Sequence, residues 1–116
     1  MFRFEQLEIW KLAIEYGNKL YDIANTFPKA ETYALSDQLK RAGVSVSSNI
    51  AEGSGGSNKE FCNYLNISIK SILETVNILY FAKLRGYIAG QKRLELYEEA
   101  EKLIRKIRAF KSSLQK

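Results

Sequence analysis

The chain has 116 residues, of which 46% are hydrophobic and 27% are charged, and its net charge is +5. This length suits one domain with a modest core, and the composition is that of a globular protein. We expect a single domain over residues 1–116 with no membrane association, because no run of about 18 uncharged apolar residues occurs. The charged N-terminal stretch also lacks the apolar segment of a signal peptide.

Histidine is absent, and cysteine occurs once, at Cys62. A single cysteine cannot form an internal disulfide, so we expect a reducing, cytoplasmic setting. Without histidine the chain lacks the commonest general base and the commonest metal ligand, and we expect no metal and no other cofactor. The same absence argues against an enzyme, since only carboxylates, lysines or tyrosines would remain for catalysis.

A first helix is predicted over residues 6–26. The apolar residues there recur three and four positions apart, as on one side of a helix, and they form two parallel stripes. The stripes comprise Trp10, Ala13, Gly17, Leu20, Ala24 and Phe27, and beside them Ile9, Leu12, Tyr16 and Ile23. Pro28 then disfavours continuation of the helix.

A second helix is predicted over residues 32–52, with an apolar stripe formed by Leu35, Leu39, Ala42, Val46 and Ile50. Polar residues spaced by three and four follow the edge of this stripe and therefore share a face of the helix. They are Gln38, Arg41, Ser45, Asn49 and Glu52. Gly53 suits the C′ position after a helix, and the sequence GSGGS at residues 53–57 predicts a loop.

A third helix is predicted over residues 58–85. It begins with a capping box, in which Ser57 is the N-cap residue and Glu60 follows three positions later. Its apolar stripe, which is widened by a second one, ends before Gly86. The two stripes comprise Phe61, Leu65, Ser68, Ile72, Val76, Leu79 and Ala82, and beside them Ile69, Leu73, Tyr80 and Leu84.

A fourth helix is predicted over residues 91–114. One face carries Tyr97, Ala100, Ile104, Ile107 and Leu114, and Leu96, Leu103 and Phe110 recur beside it. Short connections place sequential helices antiparallel. We therefore predict an all-α fold, an antiparallel up-down-up-down four-helix bundle.

The apolar stripes are wider than the core of one bundle requires. A monomer would then expose Ile9, Leu12, Tyr16 or their counterparts on other helices as an apolar patch, and large patches of this kind usually mark interfaces. Thicker packing within one bundle is the alternative explanation. We favour self-association.

Half-buried Asn and Glu side chains need hydrogen-bond partners. Ser71 and Glu74 on the third helix are candidate partners for the polar residues of the second helix, which together with Glu74 we call the polar strip. Such a strip can fix the register between helices or subunits, so we expect Arg41, Asn49 and Glu52 to have few solvent-exposed atoms. Ligand binding is an alternative, and Glu52 and Glu74 could form a carboxylate pair, although no nucleophile or metal-site pattern accompanies them.

Basic residues are concentrated near the C-terminus, where residues 89–116 carry eight Lys and Arg and four Glu. Candidates for contacts with the phosphates of RNA or DNA are Lys102, Arg105, Lys106, Arg108 and Lys111. The alternative is an ordinary solvated helix face, because basic residues favour helix C-terminal ends and pairs such as Glu98–Lys102 stabilise a helix.

Several stretches resemble one known family in order and spacing. They are FRFEQLEIW at residues 2–10, QLKRAGVSVSSNIAEG at residues 38–53, KEF at residues 59–61 and GYI at residues 86–88. The family comprises four-helix bundle proteins encoded in intervening sequences of large-subunit ribosomal RNA genes, and the resemblance covers nearly the whole chain. It implies an antiparallel bundle that assembles into a ring-shaped homo-pentamer.

The resemblance extends more distantly to the accessory protein of diversity-generating reverse transcriptases, which binds nucleic acid. Family members often continue NIAEG with an aromatic residue and an Arg, whereas this chain has SGGS at residues 54–57. The departure weakens the nucleic-acid hypothesis. We predict a non-enzymatic homo-oligomeric scaffold that binds RNA or DNA weakly through the fourth helix. A protein–protein interaction module with no nucleic-acid role is the alternative.

Overall fold

A computed structural model describes residues 1–116, and all of its regular structure is helical. The four main helices are α1 (Glu8–Ala24), α2 (Leu35–Gly53), α3 (Asn58–Leu84) and α4 (Gly90–Leu114). Short 3₁₀ turns at Arg3–Gln6 and Lys29–Glu31 precede α1 and α2. All four predicted helices are confirmed, and each end lies within three residues of its predicted position.

Successive helices run antiparallel around one core. Between α2 and α3, the Ser68 hydroxyl donates to the Val46 carbonyl at 2.9 Å, while Gly53 packs against Tyr64. The backbones of α1 and α2, α2 and α3, α3 and α4, and α4 and α1 approach each other closely, whereas those of α1 and α3 do not. The bundle measures 45 × 23 × 21 Å, and its long axis follows the 27 residues of α3, about 40 Å of helix. The predicted antiparallel four-helix bundle is confirmed.

Helix α1 contributes two stripes to the core rather than one. Ile9 and Tyr16 are buried and Leu12 is half-buried, so the expectation that these residues form an exposed patch is wrong. The reason is that α1 packs against both α2 and α4 and therefore buries a wide arc of its surface. Their counterparts in the second stripe of α3 are exposed instead, namely Leu73, Tyr80 and Leu84.

Helix α4 is rotated relative to the main stripe predicted for it. Its buried residues are Leu96, Ala100, Leu103 and Ile107, whereas Tyr97 is exposed and Ile104 only half-buried. The seven-residue repeat of Leu96 and Leu103 thus faces the core. None of the helices combines the length and the apolar character that crossing a bilayer requires.

Residues close to each end of α3 determine where this helix begins and ends. The Glu60 N–H donates to the Ser57 hydroxyl at 3.2 Å and the Ser57 N–H donates to the Glu60 carboxylate at 3.0 Å, which confirms the capping box. At the other end Gly86 adopts φ 77°, and the Tyr87 N–H donates to the Ala82 carbonyl at 2.8 Å. This is a Schellman motif, in which glycine takes the left-handed position without strain.

Gly53 has a different role from the one predicted. It is the last residue of α2 rather than a left-handed C′ residue, and Gly86 alone has a positive φ. A Cβ atom at Gly53 would lie 2.6 Å from the Tyr64 Cβ and 2.8 Å from the Phe61 ring. A glycine is therefore needed here because α3 passes too close for any side chain.

Candidate nucleic-acid and self-association surfaces

Each pair of neighbouring helices presents one outer face to solvent, and we name the faces by their helices. The polar strip lies along the α2–α3 face. The basic candidates of α4 are divided: Lys102 and Lys106 lie toward α1, whereas Arg105, Arg108 and Lys111 lie toward α3. The structure therefore does not gather all the predicted residues into one site.

Part of the polar strip forms a hydrogen-bonded link between α2 and α3. The hydroxyls of Ser45 and Ser71 are 2.9 Å apart. The Asn49 amide nitrogen donates to the Ser45 carbonyl at 2.8 Å and to the Ser45 hydroxyl at 3.0 Å. Ser71 is buried and the two α2 residues are half-buried, so these bonds satisfy polar groups at the edge of the core.

The rest of the polar strip is exposed in the single chain. Arg41 has 80% of its side chain exposed and pairs at 2.9 Å with Asp37 of the same helix. Gln38, Glu52 and Glu74 are also exposed and make no side-chain hydrogen bond. The expectation of few exposed atoms at Arg41 and Glu52 is therefore wrong. Residues that share one face of a helix can still differ in burial, because part of that face borders the core and part of it lies in solvent.

Glu52 and Glu74 do not form a carboxylate pair. The link between Ser45 and Ser71 fixes the antiparallel register and places Glu74 opposite Ala42. Glu52 lies ten residues further along α2, which is about 15 Å of helix. The structure also contains no group of three or more Cys, Asp or Glu side chains that could hold a metal ion.

Two ion pairs bridge the α4–α1 face. Lys106 lies 2.9 Å from Glu8, and Lys19 lies 3.0 Å from Glu99. The hydrogen bond and the charge of Lys106 hold the pKa of the Glu8 carboxyl below its usual range, and the charge of Lys102 adds to this effect. The charges of Lys102 and Lys106 are thus partly compensated within the chain.

The α3–α4 face carries an apolar groove of about 430 Å³. Its floor is formed by Val76, Ala100 and Ile104, and Leu73 on its wall is 52% exposed. Arg105 and Arg108 line the same groove on α4. The sequence singled out these arginines as phosphate contacts, but it did not place them beside an apolar groove.

Aromatic side chains continue this surface toward the α3–α4 turn. The Arg93 guanidinium lies 5.1 Å from the ring centre of Tyr80 and 5.8 Å from that of Tyr97. Its Nε atom is buried and has no hydrogen-bond partner. We call the region formed by Leu73, Tyr80, Arg93 and Tyr97 the aromatic patch.

Sequence reasoning missed the contribution of α3 to the basic surface. Lys59 and Lys70 of α3 line grooves together with Lys111 of α4. Both lysines appear in the sequence among polar residues of the third helix, on its outward side. Their proximity to α4 depends on how the two helices are rotated, and this rotation is not visible in the periodicity.

The sequence matches the family model described as 23S rRNA-intervening sequence protein over residues 5–109. No curated protein matches it. The fold is similar to the crystal structure of a protein with unknown function from the S23 ribosomal protein family of Bacteroides thetaiotaomicron. The TM-score is 0.81 at 20% sequence identity, and the similarity covers 89% of this chain and 97% of that chain. At this identity the likeness establishes the shared fold alone.

Proposed function

The chain belongs to the 23S rRNA-intervening sequence protein family, and on this premise we propose that it is a non-enzymatic, homo-oligomeric scaffold that binds RNA or DNA weakly. The assembly we propose is the homo-pentamer that the family resemblance implies. The lone Cys62 suits a reducing cytoplasm. The absence of histidine and the separation of Glu52 from Glu74 support a role other than catalysis.

The observation that carries the proposal is the aromatic patch on the α3–α4 face. Leu73 and Tyr80 are each about half exposed, and Tyr97 lies beside them. Exposed apolar residues that are scattered singly need no explanation, but these residues adjoin one another and an apolar groove. A partner surface would remove them from water.

A second apolar surface lies on the opposite side of the bundle. On the α1–α2 face Ile14, Tyr21 and Val44 are partly exposed around a groove of about 210 Å³. Two different apolar surfaces on one chain favour head-to-tail association. In this arrangement the aromatic patch of one subunit covers the apolar α1–α2 surface of the next subunit. Such heterologous contacts produce a closed ring when the rotation between subunits closes.

The oligomeric state tests this proposal directly. Light scattering after gel filtration at tens of micromolar should give a mass close to five chains. Leu73→Arg should shift the mass toward that of the monomer, because it places a charge in the aromatic patch. Ile67→Arg on the α2–α3 face is the matched control, since Ile67 is similarly exposed but lies outside both apolar surfaces. A stable wild-type monomer would rule out the scaffold.

A protein–protein interaction module without a nucleic-acid role is the second candidate. The ion pair between Lys106 and Glu8 favours it, because this pair reduces the basic charge that α4 offers to a phosphate backbone. RNA binding measured at low and high salt separates the two functions. Phosphate contacts weaken steeply as salt rises, and Arg105→Glu/Arg108→Glu should abolish them. An assembled protein that binds no RNA at low salt would support the interaction module.

A further inference from the structure

The basic surface of α4 continues across the α3–α4 face onto α3. Two adjoining grooves run from the apolar groove toward the C-terminus, with volumes of about 510 and 370 Å³. They share Asn66, Lys111 and Gln115, so they form one continuous furrow. We call this furrow the basic groove; its basic and amide lining comprises Lys59, Asn63, Asn66, Lys70, Arg108 and Lys111. It ends at Leu73 and Arg108, which it shares with the apolar groove.

The charge in the basic groove is of one sign. Lys59 and Lys70 come from α3, and Arg108 and Lys111 come from α4, and none of the four forms an ion pair within the chain. No Asp or Glu side chain lines either part of the furrow. A concave surface that carries only positive charge concentrates the field and attracts a polyanion.

The groove also presents amide groups that the fold does not use. The side chains of Asn63, Asn66 and Gln115 make no hydrogen bond within the chain, in contrast to Asn58, which donates to the Leu114 carbonyl. Free amides can donate to phosphate and sugar oxygens, and they can pair with the edges of unstacked bases. This combination of lysines and amides suits a nucleic-acid strand better than a simple anion.

The dimensions of the groove favour a single strand. Lys59 and Lys70 are eleven residues apart on α3, which corresponds to about 16 Å and is long enough for several successive phosphates. The floor lies between two helices whose axes are typically about 8–10 Å apart. A single strand can enter such a furrow, whereas the convex backbone of a duplex reaches only its rim.

We propose that the basic groove binds the backbone of a single-stranded nucleic acid, with Lys59 and Lys70 of α3 contacting phosphates opposite Arg108 and Lys111 of α4. The inference rests on the nucleic-acid binding in the proposed function, and it extends that binding from one helix to a two-helix site. It also identifies the ligand as unpaired rather than duplex nucleic acid.

Fluorescence anisotropy with a labelled single-stranded RNA and a hairpin of equal length tests the groove at about 50 mM and about 200 mM salt. Lys59→Glu/Lys70→Glu should weaken binding of the single strand at least about tenfold at low salt. It should also reduce the steepness of the plot of log affinity against log salt concentration by about 2. The control Lys11→Glu/Lys29→Glu changes the net charge equally at exposed, unpaired lysines outside the groove. It should change affinity by less than about threefold.

Lysine acetylation mapped by mass spectrometry supplies a direct readout on the wild-type protein. Bound RNA should slow the modification of Lys59 and Lys70 but not that of Lys11. Loss of binding in Arg105→Glu/Arg108→Glu alone would overturn the two-helix groove and leave the proposed function in place. Equal losses in the α3 and control variants, or tighter binding of the hairpin, would also overturn it. Absence of any binding at low salt would overturn both proposals.

Discussion

The Tyr16 hydroxyl lies 2.8 Å from the Thr75 hydroxyl in the middle of the core, where both residues are fully buried. This hydrogen bond joins α1 to α3, the two helices that face each other diagonally without backbone contact. The Thr75 hydroxyl donates its single hydrogen to the Ile72 carbonyl at 2.6 Å. The Tyr16 hydroxyl is therefore the donor to Thr75.

This direction of donation predicts unequal costs for the two obvious substitutions. Tyr16→Phe removes a donor and leaves Thr75 satisfied by Ile72, so it should cost about 0.5–1.5 kcal/mol of unfolding free energy. Thr75→Val leaves the Tyr16 hydroxyl buried without an acceptor and should cost about 1–3 kcal/mol. Chemical denaturation of both variants measures the difference. A larger cost for Tyr16→Phe would contradict the assigned direction.

The same tyrosine predicts a loss of stability in alkali. Burial raises the pKa of Tyr16 from 10.0 to about 12, and the charge of Glu99 adds to this effect. Because the folded pKa exceeds the unfolded one, the stabilisation is complete below pH 10 and is lost between pH 10 and about 12. The free energy of unfolding should fall by about 1.4 kcal/mol per pH unit in this range. Tyr16→Phe should lack this component.

The contact between Gly53 and α3 predicts a large effect of one methyl group. Gly53→Ala would place its Cβ 2.6 Å from the Tyr64 Cβ, an atom fixed to the backbone. Overpacking of this kind should destabilise the bundle by about 1–3 kcal/mol, although alanine favours a helix by about 1 kcal/mol. Gly55→Ala is the control, because its Cβ would meet the Glu52 carbonyl at an ordinary 3.6 Å. Equal melting temperatures for the two variants would refute the steric role.

The half-buried Asn49 predicts a stronger effect than its charged neighbours in the polar strip. Asn49→Leu removes both hydrogen bonds to Ser45 and should lower stability by about 1–2 kcal/mol. Arg41→Gln should change stability by less than about 0.5 kcal/mol, since the arginine pairs only with Asp37 at the surface. Denaturation and light scattering of both variants test the order of these effects. A greater effect of Arg41→Gln would show that the exposed end of the strip contributes more than its half-buried part.

The sequence predicted the helices because their signals are local. Periodic apolar residues, the capping box at Ser57 and Glu60, and the glycine at position 86 each act within a few neighbouring residues. The same signals do not determine how far each helix is rotated about its axis. Tyr97 and Leu96 are adjacent in the sequence, and only contacts with the other helices show that Leu96 faces the core.

The candidate surfaces were less predictable because they depend on residues that are distant in sequence. Lys106 meets Glu8 across 98 positions, and this pair changes the charge that α4 offers to a ligand. Lys59 and Lys70 join the basic surface of α4 through the packing of two helices. A spacing of three and four could place Arg41 on the same face as Ser45, but it could not show where that face passes from core to solvent.

The crossing of α1 and α2 joins these two helices by direct contact between their backbones. A Cβ at Gly17 would lie 2.9 Å from the Gly43 carbonyl oxygen, so the two backbones touch and no side-chain rotamers separate them. By contrast, the polar links between α4 and α1 are the two surface ion pairs of Lys106 and Lys19, which salt can loosen. Helices α1 and α2 therefore move as one body, whereas salt weakens only the surface links between α4 and α1, because Leu96, Leu103 and Ile107 still hold α4 in the core.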